Sequence, residues 1–280
     1  MKLIFCLGAA AAVLAIGSHD LRAETELERG AYLVRSVAAC GNCHSPLGPE
    51  GPLEGKELSG RFVIKMAEFE AWAPNITPAA IGNWSATELA RAIREGIRPD
   101  GTIIGPPMPI ELYRNISDRD LAAIVAYVRS VPAVENTVPR SVYNIPLPKS
   151  YGPPVKSVAA VPEGATAAYG AYLAGPVAHC VECHTPMVDG QADFEHQLGA
   201  GGREFEGPWG TSVSANLTSD KDGLARWSDD AVIAMIRTGT RPDGNKMLPP
   251  MGFSFYAGMS DRDVHAIVAY LRTLPAKKTP

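Results

Sequence analysis

The chain has 280 residues, 20% of them charged and 46% hydrophobic, with a net charge of −4. This is ordinary globular composition, long enough for one large or two modest domains. It holds no basic stripe for nucleic acid and no acidic tail, so nucleic-acid partners are excluded.

The chain opens with Lys2 and the apolar run LIFCLGAAAAVLAIG, from Leu3 to Gly17. That run is shorter than the ~20 residues a membrane-spanning helix needs. It predicts an export signal over 1–23, cut after Ala23, or after Gly17 because Leu21 suits cleavage poorly. No later stretch is apolar for long enough to span a bilayer. The expected product is a periplasmic protein with no transmembrane helix in the mature chain; an uncleaved N-terminal anchor is the minor alternative. Cys6 leaves with the signal.

Next, Leu27, Ala31 and Val34 form a helical stripe leading into CGNCH at 40–44. A loop with NIT at Asn75 follows, then Trp84. Ser85 with Glu88 is a capping box for a helix carrying Leu89 and Ile93, which Gly96 stops. After RPDG from Arg98 and GPPMP around Met108, Ser117 caps a last helix with Leu121, Ile124, Val125 and Val128 inward. Seven prolines between Pro132 and Pro162 then preclude helix or central strand. The reading is an extended connector with polyproline character, lying along the first unit.

The second half repeats the first. GAYLVRSVAAC from Gly30 returns as GAYLAGPVAHC from Gly170, and CVECH occupies 180–184. NLT at Asn216, RWS around Trp227, RPDGNKMLPPMG from Arg241 and SDRDVHAIVAYLRTLP from Ser260 complete the copy. The predicted organisation is domain 1 at 24–135, a connector at 136–163 and domain 2 at 164–280. The fold class is mainly α: each domain has about three to four helices and long loops wrapped around a cofactor. Loops so long would otherwise surround too thin a core. Gly30 and Gly170 read as close-packing positions facing Tyr127 and Tyr270. His179 reads as exposed.

Two CxxCH motifs admit a disulfide, zinc or haem. A CxxC disulfide belongs in a thioredoxin-like βαβ pattern, and no such strands are predicted. A structural zinc site needs four ligands, yet apart from His44 the mature first unit has no histidine. Covalent haem fits both motifs: the thiols of Cys40 and Cys43, and of Cys180 and Cys183, form thioethers. His44 and His184 become proximal iron ligands. A second axial methionine raises the potential. Met108 is the candidate in the first unit, with Met66 the other methionine there. In the second, Met251 aligns with Met108, whereas the rival Met247 aligns with Ile104. Trp84 and Trp227 read equally as propionate donors or packing residues. Arg98 and Arg241 read as turn arginines, and Asn75 and Asn216 as ordering their loops.

These motifs together resemble a tandem, dihaem class-I cytochrome c. The chain is similar to the cytochrome subunits of periplasmic alcohol, gluconate and aldehyde dehydrogenases. Those subunits commonly carry three haems and a C-terminal membrane helix, against two motifs and no such helix here. The resemblance implies two covalently bound haem c groups, a dehydrogenase as electron donor, and a cytochrome or oxidase as acceptor. The expected role is electron transfer without catalysis. The competing reading is a dihaem enzyme of peroxidase or thiosulfate dehydrogenase type. It needs an open sixth position or a cysteine ligand, and the sequence offers neither.

Overall fold

A computed structural model describes residues 23–48 and 51–280; the predicted signal, apart from Ala23, lies outside them, as does Cys6. Among the described residues are eleven α-helices, two five-residue π turns and nine short strands. The expected caps form. Ser85 and Glu88 make a reciprocal capping box for Ala86–Glu95, and Gly96 ends that helix with φ of 67°. Ser117 caps Asp118–Ser130, Ser228 caps Asp229–Thr238 and Ser260 caps Asp261–Leu271.

In each half the first helix crosses the last at a glycine. A Cβ on Gly30 would overlap the Ala123 carbonyl and Tyr127, and one on Gly170 would overlap the Ala266 carbonyl and Tyr270. Only glycine lets the two backbones come this close. The first helix departs from its predicted stripe. Leu27 is exposed, while Arg29, Gly30, Leu33, Val34, Ser36 and Val37 are buried. Two causes act together. Glu26–Tyr32 continues into a π turn over Leu33–Val37, which rotates the register. The second half also covers a face that would otherwise meet solvent.

Short hairpins replace part of the expected loop. Arg61–Lys65 pairs antiparallel with Phe69–Ala73 in the first half, and Glu204–Gly207 with Gly210–Val213 in the second. The connector adds Val142–Tyr143 as an edge strand on Phe69–Glu70. Tyr143 and Leu147 then lie against Gly105, and the Tyr151 hydroxyl donates to the Ile104 carbonyl at 2.9 Å.

The halves share one core, in which Leu33 and Val37 join Leu173 and Val177. Polar contacts across the seam are reciprocal. The Tyr32 hydroxyl donates to Asp263 at 2.8 Å and accepts from the Ser260 amide at 3.0 Å. Its counterpart Tyr172 donates to Asp120 at 2.7 Å and accepts from the Ser117 amide at 3.2 Å. Each half thus supplies a phenol to the N-terminus of the other's last helix. Beside Tyr172, Arg29 grips Asp120 with two bonds of 2.9 and 3.0 Å.

Burial, then the neighbouring carboxylate, raises both phenols: Asp263 for Tyr32 and Asp120 for Tyr172. In the unfolded chain they ionise near pH ~10. Their contribution to stability is therefore complete below about pH 10 and is lost as pH rises toward the folded values. An ultraviolet phenolate titration should show Tyr32 and Tyr172 ionising only as the protein unfolds. The Phe variants assign the two signals, and ordinary titration of both would contradict the buried geometry.

Candidate cofactor site

Both attachment motifs begin in the same way. A π turn, Leu33–Val37 or Leu173–Val177, leads to one left-handed residue: Ala39 with φ of 47° or His179 with φ of 42°. A short helix then carries the motif, Cys40–His44 or Cys180–Cys183. Left-handed backbone is unfavourable for a residue with a Cβ by roughly 1–2 kcal/mol. Its presence in both copies marks the sharp reversal that turns the motif inward.

The histidines are held by a pattern the sequence did not announce. His44 Nδ1 bonds the Pro74 carbonyl at 2.8 Å, and His184 Nδ1 bonds the Ala215 carbonyl at 2.7 Å. With Nδ1–H donating, Nε2 keeps its lone pair. Burial lowers both imidazoles below their usual range and favours that neutral form.

The two acceptor carbonyls immediately precede Asn75 and Asn216, which is the signal that could have found them. Asn75 Oδ1 accepts from the amide and hydroxyl of Thr77, at 2.9 and 2.8 Å, while its Nδ2 donates to the Val134 carbonyl at 2.7 Å. Asn216 repeats this with Thr218 and the Lys277 carbonyl. Each NxT loop therefore orients the carbonyl that receives the histidine.

His184 and Met251 line one cavity, together with Leu217, Leu224, Trp227, Val232, Met235 and Arg241. Met247 lines it too. In the first half Met108 is half-buried against the core. Of the other methionines, Met235 also lines that cavity. Met66 packs on the small cluster of Ile64 and Phe69, Met187 is exposed, and Met235 and Met259 are buried on helices or at their ends. Arg98 donates to the Ile103 carbonyl at 2.7 Å and so holds its own turn.

His179 is not exposed as expected. It is half-buried, with its ring centroid 5.9 Å from that of Tyr113 in the other half and Nδ1 3.3 Å from Glu182. The seam between the halves buries it, and no pattern within one half reveals that.

The donor set fits haem. The four cysteines are unpaired. As free thiols, burial pushes Cys40 and Cys180 up to about 12 and Cys43 to about 11, and raises Cys183 as well. Among the described residues no three His, Cys, Asp or Glu side chains converge to hold a metal ion. An apolar cavity flanked by a neutral imidazole and a thioether suits a large flat macrocycle.

Comparison with known families agrees. Residues 167–275 match the model for cytochrome c, and residues 25–128 match that for cytochrome c oxidase, cbb3-type, subunit III. The chain belongs to the cytochrome c family. It is a tandem cytochrome that binds two haem c groups covalently and serves electron transport.

Curated relatives of this tandem cytochrome include the fructose dehydrogenase cytochrome subunit of Gluconobacter japonicus, 29% identical over 90% of this chain and 53% of the relative. The gluconate 2-dehydrogenase cytochrome c subunit of Pantoea cypripedii is 30% identical over 99% of this chain and 66% of its own length. A diheme cytochrome c-type protein of Cereibacter sphaeroides is 28% identical over 86% of this chain and 83% of its own. The tandem cytochrome spans between about half and two thirds of the two dehydrogenase subunits. Among its described residues no helix is long and apolar enough to cross a membrane.

Proposed function

We propose that this tandem cytochrome carries single electrons from a periplasmic dehydrogenase to a further cytochrome or an oxidase, and is not itself an enzyme. The domains are taken as 24–135 and 164–280, joined by the connector at 136–163. Cys40 and Cys43 attach the first haem and Cys180 and Cys183 the second. His44 with Met108, and His184 with Met251, would hold the two irons. Haem iron supplies a one-electron couple, whose potential a methionine opposite histidine raises.

The chain's own part is positional. The carbonyls of Pro74 and Ala215 fix the imidazole rings with Nε2 free. Leu217, Leu224 and Val232 line the cavity beside His184 and Met251, and a Pro-Pro pair precedes each methionine. The observation that carries the reading is the single cavity lined by both His184 and Met251. Met251 is preferred to Met247 because it follows two prolines, as Met108 does. The names of the relatives support a dehydrogenase as donor.

Met108→Ala and Met251→Ala should each remove one haem's share of the far-red sulfur-to-iron band and lower one of the two one-electron potentials. An unchanged band in both would sink the ligand assignment. Robust turnover of peroxide or thiosulfate by the purified protein would replace electron carriage with an enzymatic role.

A further inference from the structure

The two methionine loops are secured by different means. The Met108 loop is held within its own half and by the connector, through Arg98 on the Ile103 carbonyl and Tyr151 on the Ile104 carbonyl, at 2.7 and 2.9 Å. The Met251 loop is held from outside its half as well as from within it. Asn42, inside the first attachment motif, donates through Nδ2 to the Pro250 carbonyl at 3.0 Å. The same amide lies against Gly252, where an added Cβ would meet it at 3.3–3.4 Å. Asn42 therefore bonds the residue before Met251 and faces the residue after it.

The amide is itself braced. Arg61 donates to the Asn42 carbonyl at 2.5 Å, fixing the turn of the motif. Within the second half, the Ser212 hydroxyl adds one bond to the Pro249 carbonyl at 2.6 Å.

The arrangement has no mirror image. The counterpart of Asn42 is Glu182, whose carboxylate has no N–H to offer the Met108 loop. Glu182 faces His179 instead, at 3.3 Å. Its carbonyl keeps the brace, accepting from Arg203 at 2.7 Å. The brace is thus common to both halves, and the reach across the seam belongs to Asn42.

We infer that Asn42 is a positioning residue for the second haem: the first attachment motif holds Met251 in place across the domain seam. The inference rests on Met251 being the axial ligand. It follows that the sixth ligand of one haem depends on the folding of the other haem's motif. With Asn42 gone, the Met251 loop keeps the Ser212 bond and loses its support nearest the sulfur.

The test uses the full haem-loaded protein. The middle residues of the motif differ between copies, Gly-Asn against Val-Glu, so substitution at 42 is compatible with haem attachment. Asn42→Leu removes the donor at similar volume, and Asn42→Gln retains one. The readouts are the far-red band, imidazole binding at each haem, and the two potentials.

A neutral hydrogen bond contributes modestly, so Asn42→Leu should tighten imidazole binding about five- to tenfold at one haem. That haem should be the one whose band Met251→Ala abolishes. Its potential should fall, the other haem should not change, and Asn42→Gln should restore part of the difference. No change at either haem, or equal change at both, overturns the inference. Met251→Ala distinguishes the two failures: if it leaves the band intact, the ligand assignment has failed rather than the role of Asn42.

Discussion

Asp120→Ala should destabilise the protein by about 3–5 kcal/mol, the usual result of removing one partner from a buried ion pair. Arg29 and Asp120 are almost wholly enclosed, with side chains 2% and 5% exposed. Two bonds join them, and the Tyr172 hydroxyl completes the carboxylate's shell from the other half. Without the carboxylate, the guanidinium stays in a low-dielectric seam beside Tyr169, which accepts a bond from it at 3.2 Å. The Glu163 carboxylate, 3.9 Å from the Arg29 Nη1, offsets part of the charge, so the cost is the incompletely compensated charge rather than the lost contact. Replacing both partners with apolar residues should therefore recover much of the loss. Urea unfolding of the haem-loaded protein measures both effects. A loss below about 1 kcal/mol in Asp120→Ala would mean that the pair is effectively solvated.

Gly170→Ala should be comparably damaging, by about 3 kcal/mol or more, because overpacking here meets backbone. The new methyl group would overlap the Ala266 carbonyl, and Tyr270 Cβ lies 2.9 Å away. No rotamer change relieves a clash with a carbonyl, so the first and last helices of the second half must part. Gly175→Ala is the control, since a Cβ there meets nothing within 4 Å. It should change stability by about 0.5 kcal/mol or less. Equal effects at the two positions would refute the close-crossing explanation. Thermal melts, with haem content measured on the same samples, decide the matter.

The helix ends and the paired motifs were legible in the sequence because each depends on neighbours a few residues away. Ser85 and Glu88 close their box inside one turn. Gly30 and Gly170 were found only because the copies could be laid side by side.

What escaped depends on distant partners. Leu27 reads as a core residue yet is exposed, and Arg29 is buried by Asp120 and Tyr169, far along the chain. The hairpin at Arg61–Lys65 was missed because a bulge between Phe62 and Ile64 breaks the two-residue alternation. The carbonyls that hold His44 and His184 belong to backbone, which carries no residue signature. Only the asparagines after them left a trace, and that trace reads as loop ordering until the ring is seen beside it.

The reciprocal tyrosines carry one more implication. A surface on which each half gives the other the same group, at the same place, is the surface of an isologous dimer. A single-copy protein bearing Tyr32 and the Ser117 cap would be self-complementary, and the proline-rich segment makes that pairing permanent and independent of concentration. Covalent linkage also frees the two faces to diverge. Arg29 faces Tyr169, Ala39 corresponds to His179, and Asn42 corresponds to Glu182. At those three pairs the two halves differ, so the molecule distinguishes its first half from its second.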